Sequence, residues 1–200
     1  MSHRGNSSRG WTRYGADKLA ALARALQGQE PKLSRQQAAQ ALARSREGTR
    51  LLARIIESAE SPQVREAAIY GFAWGTLRSP QFCLLLRVFE DSAEHPAVRG
   101  QAAEALGPRL HDVSRRGRQH QRFLRAVEAF KRGLDDPAPE VRLWSIFALA
   151  HPENAWLLPK LGMMVEDLAM VPGMWTVRQE ALWAIRWIKD GDIDCDPRSL

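Results

Sequence analysis

Chemistry that depends on a dedicated cluster of residues has little to work with in this chain. Its 200 residues include two cysteines, Cys83 and Cys195, which make neither a disulfide framework nor the paired spacing of a zinc site. So few thiols fit a reducing cytoplasm. The five histidines, His3, His95, His111, His120 and His151, show none of the i, i+3 or i+4 pairing by which a helix presents two metal ligands. No Gly-rich phosphate loop follows a strand-like run, and no nucleophile stands on a strand-to-helix turn. Asp190, Asp192, Asp194 and Asp196 alternate near the end of the chain, but without the central Gly and closing Glu of a calcium loop they read as an acidic tail. No catalytic residue, metal ligand or cofactor is expected. Apolar runs such as Phe82 to Leu86 are far shorter than the roughly 20 residues of a spanning helix, so no membrane partner is expected. Met1 to Arg13 carries Ser, Gly and Arg without the apolar core of a secretory signal.

Lysine is scarce as well. Basic residues number 29 against 23 acidic, a net charge of +6, and arginine supplies most of them. Arginine in excess serves planar, bidentate recognition of phosphate or carboxylate. It also follows from the coding composition of a GC-rich genome, and net charge alone does not separate the two.

What the chain has in abundance is one helical signature, repeated five times: Arg, a small residue three later, another small residue six later and an apolar residue seven later. The copies are Arg35/Ala38/Ala41/Leu42, Arg65/Ala68/Gly71/Phe72, Arg99/Ala102/Ala105/Leu106, Arg142/Ser145/Ala148/Leu149 and Arg178/Ala181/Ala184/Ile185. Valine precedes four of the arginines, at 64, 98, 141 and 177. A pattern returning every 30, 34, 43 and 36 residues marks a repeat array, whose units bury their apolar faces by stacking on one another. Counted from the Arg, positions −1, +3 and +7 share a helix face and are expected to be buried. The small residue at +6 marks the close approach of a neighbouring helix.

Capping and breaking residues predict ten helices in five pairs: 16–27 with 34–46, 48–59 with 62–75, 80–92 with 96–107, 119–134 with 138–150, and 153–169 with 174–189. Ser34 is expected to cap the second of these, and Ser61-Pro62, Ser79-Pro80 and His95-Pro96 to start others. The domain plan is a disordered basic tail over 1–15, one repeat domain over 16–190 and a flexible acidic tail over 191–200.

The segments Ser61-Pro62-Gln63-Val64-Arg65, His95-Pro96-Ala97-Val98-Arg99 and Asp136-Pro137-Ala138-Pro139-Glu140-Val141-Arg142 resemble the start of the second helix in HEAT and HEAT-like repeats, a group that includes the phycobiliprotein lyase type. The resemblance implies an all-α fold, an α-solenoid wound as a right-handed superhelix of about five helix pairs, with the second helices lining a concave surface. It also implies a ladder between repeats in which a turn Asp meets the helix Arg, and Asp136 with Arg142 looks like such a pair.

On that surface position +5 holds Gln40, Tyr70, Glu104, Phe147 and Trp183, and position +9 holds Trp74, His151 and Trp187. Tyr70, Trp74, Glu104, Phe147, Trp183 and Trp187 are therefore the candidate partner-binding residues, because Tyr and Trp dominate binding hot spots. Rings that merely fill space between successive helices are the alternative. A second candidate is the basic linker with Arg115, Arg116, Arg118 and Arg122, which suits phosphate or nucleic acid. The functional reading is a non-catalytic scaffold or adaptor binding a protein partner. Three further options stay open. One is nucleic-acid binding through the Arg115–Arg122 loop and a basic groove, with the HEAT-like DNA glycosylase type as one form of it, for which Glu104 and Glu180 are the acids nearest the rings. The others are a lyase or chaperone role by family analogy, and a homodimer through the apolar last repeat.

Overall fold

The computed structural model of the chain describes residues 11–74, 77–114, 121–191 and 193–200. Among them every regular element is helical, apart from an isolated bridge between Met170 and Thr176. They divide into two compact units, one ending at Thr76 and the other beginning at Leu77.

The first unit holds α1 (Ala16–Leu26), α2 (Arg35–Leu42), α3 (Arg46–Ser58) and α4 (Pro62–Ala73). Ser34 caps α2 as expected, its side chain accepting from the Gln37 amide while Gln37 returns the bond to the Ser34 amide. Ser45 caps α3 by accepting from the Gly48 amide at 2.9 Å, and Pro62 starts α4, where its missing N–H costs nothing. The two second helices, α2 and α4, pack directly on each other. Gly71, the small residue at +6 in α4, is what allows this. A Cβ there would lie 2.8 Å from the main-chain oxygen of Ala39, so helix backbone rests on helix backbone.

The second unit holds α5 (Ser79–Glu90), α6 (Pro96–Ser114), α7 (Gln121–Gly133), α8 (Pro139–Leu149), α9 (Leu158–Met164) and α10 (Val177–Asp190). Here α6, α8 and α10 form a continuous layer, α8 packing on both of the others, with α5, α7 and α9 set against their respective partners. Large apolar side chains of the first helices, Leu84, Leu85 and Phe89 of α5 and Phe130 of α7, are buried. Phe89 of α5 stacks on Phe130 of α7 with centroids 4.6 Å apart and reaches Gly133, where a Cβ would meet Ser145 and Phe89.

The expected buried face is buried. Val64, Ala68 and Phe72, then Val98, Ala102 and Leu106, then Val141, Ser145 and Leu149 are all below a tenth exposed. Ile185 differs, being half-buried while Ile188 takes a place in the core, and the C-terminal 3-10 turn Pro197–Ser199 packs on the same helix.

Two helix boundaries depart from expectation. Gly107-Pro108 predicts an end to α6, yet the helix runs on through Pro108; Pro108 sits exposed, and burial of Leu110 beyond it offsets the one hydrogen bond that proline removes. The expected long helix over 153–169 is a 3-10 turn at Ala155–Leu157 followed by α9 alone. Residues 165–176 turn back instead, closed by the Met170–Thr176 bridge and by Gly173 at φ +77.

That turn completes a ladder whose register differs from the expected one. Asp136 does not pair with Arg142 through its side chain. Arg142 reaches back to the main-chain oxygens of Asp136 and Pro137, at 2.7 and 2.9 Å, and its Nε donates forward to Asp167 at 2.7 Å. The Asp136 carboxylate instead receives Arg99 of the preceding pair. Each of these arginines thus fastens onto the acid in the turn of the following repeat. In the last pair Arg178 donates to the main-chain oxygen of Val165 and approaches Glu166 at 3.5 Å.

Candidate interaction surface

Residues in one register position of successive second helices are expected to be neighbours if those helices pack in parallel rows. The side chains at +5 behave this way within each unit. In the first unit Gln40 Nε2 donates to Tyr70 Oη at 3.3 Å, joining the +5 residues of α2 and α4. In the second, the Phe147 and Trp183 rings, the +5 residues of α8 and α10, stack at 5.9 Å with 17° between planes. Position +9 repeats the relation, with His151 edge-on to Trp187 at 6.0 Å.

Along α8 and α10 these rings join into one row. Trp144 meets Phe147 edge-on at 5.5 Å, and Trp183 lies 5.2 Å from Trp187. Glycines of α6 admit the row: a Cβ on Gly100 would stand 3.3 Å from the Trp144 ring and one on Gly107 3.1 Å from Phe147. Glu104, the +5 residue of α6, is half-buried and accepts from Gln101 at 2.5 Å. In the first unit Tyr70 is half-buried and Trp74, at the C-cap of α4, is 68% exposed, with the two rings 6.0 Å apart.

The structure corrects one part of the sequence reading. Trp183 and Trp187 were expected on an open face, but they are 6% and 9% exposed. Gly191, at φ +72, ends α10 in the left-handed conformation that glycine adopts without penalty. The chain then folds back along the helix, so that Trp183 Nε1 donates to the Ile193 main-chain oxygen at 3.3 Å and Arg186 approaches Cys195 at 3.3 Å. The open rings are therefore Trp74, Tyr70, Trp144 and Phe147, and Trp183 of α10, itself backed by Trp187, stacks on the last of these.

Glu180 is also sealed in, at 1% exposed. Desolvation pushes its carboxyl up to about 7, opposed by a 2.6 Å hydrogen bond from Trp175 Nε1. Closed off in this way, it has no approach for a substrate. Asp196 of the alternating acids is held by Arg198 on both carboxylate oxygens, which lowers its pKa. Among the described residues no three His, Cys, Asp or Glu side chains are placed to share a metal ion, and no helix is long and apolar enough to cross a membrane.

Arg115, Arg116 and Arg118 lie outside the described residues. Arg122 is exposed in the first turn of α7 and borders a cavity with Arg78 and Arg109, two arginines that the sequence reading passed over. Trp156, 47% exposed, with Lys131 Nζ 4.7 Å from its ring centre, is likewise absent from the sequence-derived candidates. Neither feature belongs to the repeat signature, which is the signal that picked out the other candidates.

A family model for HEAT repeats matches residues 49–150. No curated protein and no solved structure matches the chain.

Proposed function

We propose that this chain, which belongs to the HEAT repeat family, is a protein-interaction scaffold that takes a partner segment on the +5 and +9 side of its second helices. HEAT repeats commonly serve as such scaffolds. The observation that carries the reading is the pairing of equal register positions across repeats, Gln40 with Tyr70 and Phe147 with Trp183. It turns isolated aromatic residues into short rows. Each unit presents its own patch, Tyr70 with Trp74 in the first and Trp144 with Phe147 in the second. Rings held by neighbours lose little entropy on contact, which is the property that concentrates binding energy in a few aromatic side chains. Glu104 supplies a carboxylate on the same register.

Site-specific photo-crosslinking tests this in the native host. A photoreactive residue at Trp74 is expected to capture a discrete protein, while the same group at Arg54, exposed on the first helix α3, captures none. Capture that disappears on nuclease treatment, or is equal at both positions, rules out the reading. Binding should also change little between about 50 and 200 mM salt, where a phosphate-dominated contact weakens steeply.

A further inference from the structure

A cavity of about 200 Å3 opens in the second unit between the start of α5, the later part of α6 and the first turn of α7. Phe82, Phe123 and Leu77 form its apolar lining, and Arg78, Arg109 and Arg122 stand around it. Three elements supply the three arginines. Arg78 is the N-cap residue of α5, Arg109 follows Pro108 in α6, and Arg122 lies in the first turn of α7. No lining residue is acidic. The starts of α5 and α7 add the partial positive charge of a helix N-terminus to the guanidinium groups. Cations gathered at the mouth of an apolar hollow focus a field that draws anions to it.

Size and lining narrow the ligand. The cavity is smaller than the range that encloses a whole drug-sized molecule, so it takes the ring of a ligand and leaves the charged group at its mouth. Phenylalanine faces suit a planar ring. Guanidinium forks suit the oxygens of phosphate, which offers acceptors to several forks at once where a carboxylate offers two. We infer that this cavity binds a phosphomonoester carrying one planar ring, the chemistry of a pyrimidine mononucleotide, with the ring against Phe82 and Phe123 and the phosphate among Arg78, Arg109 and Arg122. This site shares no residue with the aromatic rows, so it stands apart from the scaffold reading. The same chemistry arises in a free mononucleotide and at the 5′-phosphorylated end of a strand.

Calorimetric titration of the full chain tests the inference with four probes: uridine 5′-monophosphate, uridine, inorganic phosphate and a short 5′-phosphorylated oligouridine. The monophosphate is expected to bind at least about tenfold more tightly than uridine or phosphate alone. Arg122→Gln, on the exposed surface, should weaken it by about tenfold while the melting temperature stays within about a degree or two, and Arg109→Gln should weaken it comparably. Phe123→Leu should bring the monophosphate down toward inorganic phosphate. Equal binding of the monophosphate and the oligonucleotide assigns the site to a terminal phosphate of either source; tighter binding of the oligonucleotide assigns it to a strand end. Inorganic phosphate binding as tightly as the monophosphate, unchanged affinity in both arginine variants, or no saturable binding of either uridine phosphate overturns the inference.

Discussion

Arg99 and Asp136 hold each other in a two-pronged ion pair across consecutive repeats, Nη1 to Oδ1 at 3.2 Å and Nη2 to Oδ2 at 2.5 Å, with each side chain only about a tenth exposed. Arg99 also donates from Nε to the Phe89 main-chain oxygen, and Asp136 accepts from the Ala138 amide. Little water reaches either charge. Asp136→Ala should therefore cost about 3 kcal/mol, because an arginine is left buried without its counter-ion. The more exposed Arg142–Asp167 contact should cost less when Asp167 is truncated, about 1 kcal/mol. Urea unfolding of the single variants and of the Arg99/Asp136 double variant checks this, with a coupling energy near zero counting against the pair.

Gly71 and Gly162 should respond to alanine in opposite directions. At Gly71 the added carbon meets the Ala39 main-chain oxygen at 2.8 Å and cannot push a backbone aside as it would a side chain. A loss of about 1–3 kcal/mol is expected. At Gly162, inside α9, nothing lies within 4 Å, and alanine should add about 0.5–1 kcal/mol through helix propensity. Thermal melts of the two variants beside the parent chain decide it.

The register of the second helices was legible because its causes are local. Val64, Ala68 and Phe72 share a helix face by spacing alone, and Gly71 stands where a neighbouring backbone must pass. What was hidden came from elsewhere in the chain. Trp183 reads as an open +5 residue until Ile193, ten positions on, settles against its indole. Asp167 did not stand out as a ladder acid because it precedes its own helix arginine by 11 residues, whereas Asp136 precedes its arginine by 6, and the turn between them makes up the difference. In α6, Pro108 sends a stop signal that the burial of Leu110 overrides.

Glu180 makes stability depend on pH around neutrality. In the unfolded chain its carboxyl ionises near 4.5, whereas in the fold burial holds the proton to about 7. Between those values the unfolded state binds fewer protons, so stability falls as pH rises through the window, and the loss is complete above about 7. Glu180→Gln removes this dependence. Relative to the parent, the variant should gain roughly 2–3 kcal/mol between about pH 4 and about pH 8. Chemical denaturation at both ends of the range reads the change, and parallel curves for the two proteins would mean that Glu180 ionises normally.

Ending the chain at Gly191 uncovers Trp183. Its N–H then loses the Ile193 oxygen, so tryptophan emission should move to the red and stability fall by about 1 kcal/mol, the net worth of one hydrogen bond. Trp183→Phe in the full-length chain separates the two effects, since it removes the N–H but keeps the stack on Phe147.

The forward reach of Arg99 and Arg142 governs how such a stack can change length. The pair α7 and α8 brings Asp136 for the pair before it and Arg142 for the pair after it, so a copy of that pair in place closes an ionic contact at both of its seams. A copy cut between the two helices of a pair brings the arginine without the acid and strands a charge in the seam. Within the second unit, lengthening or shortening by that complete pair, divided ahead of α7, is thus the operation that the ladder tolerates.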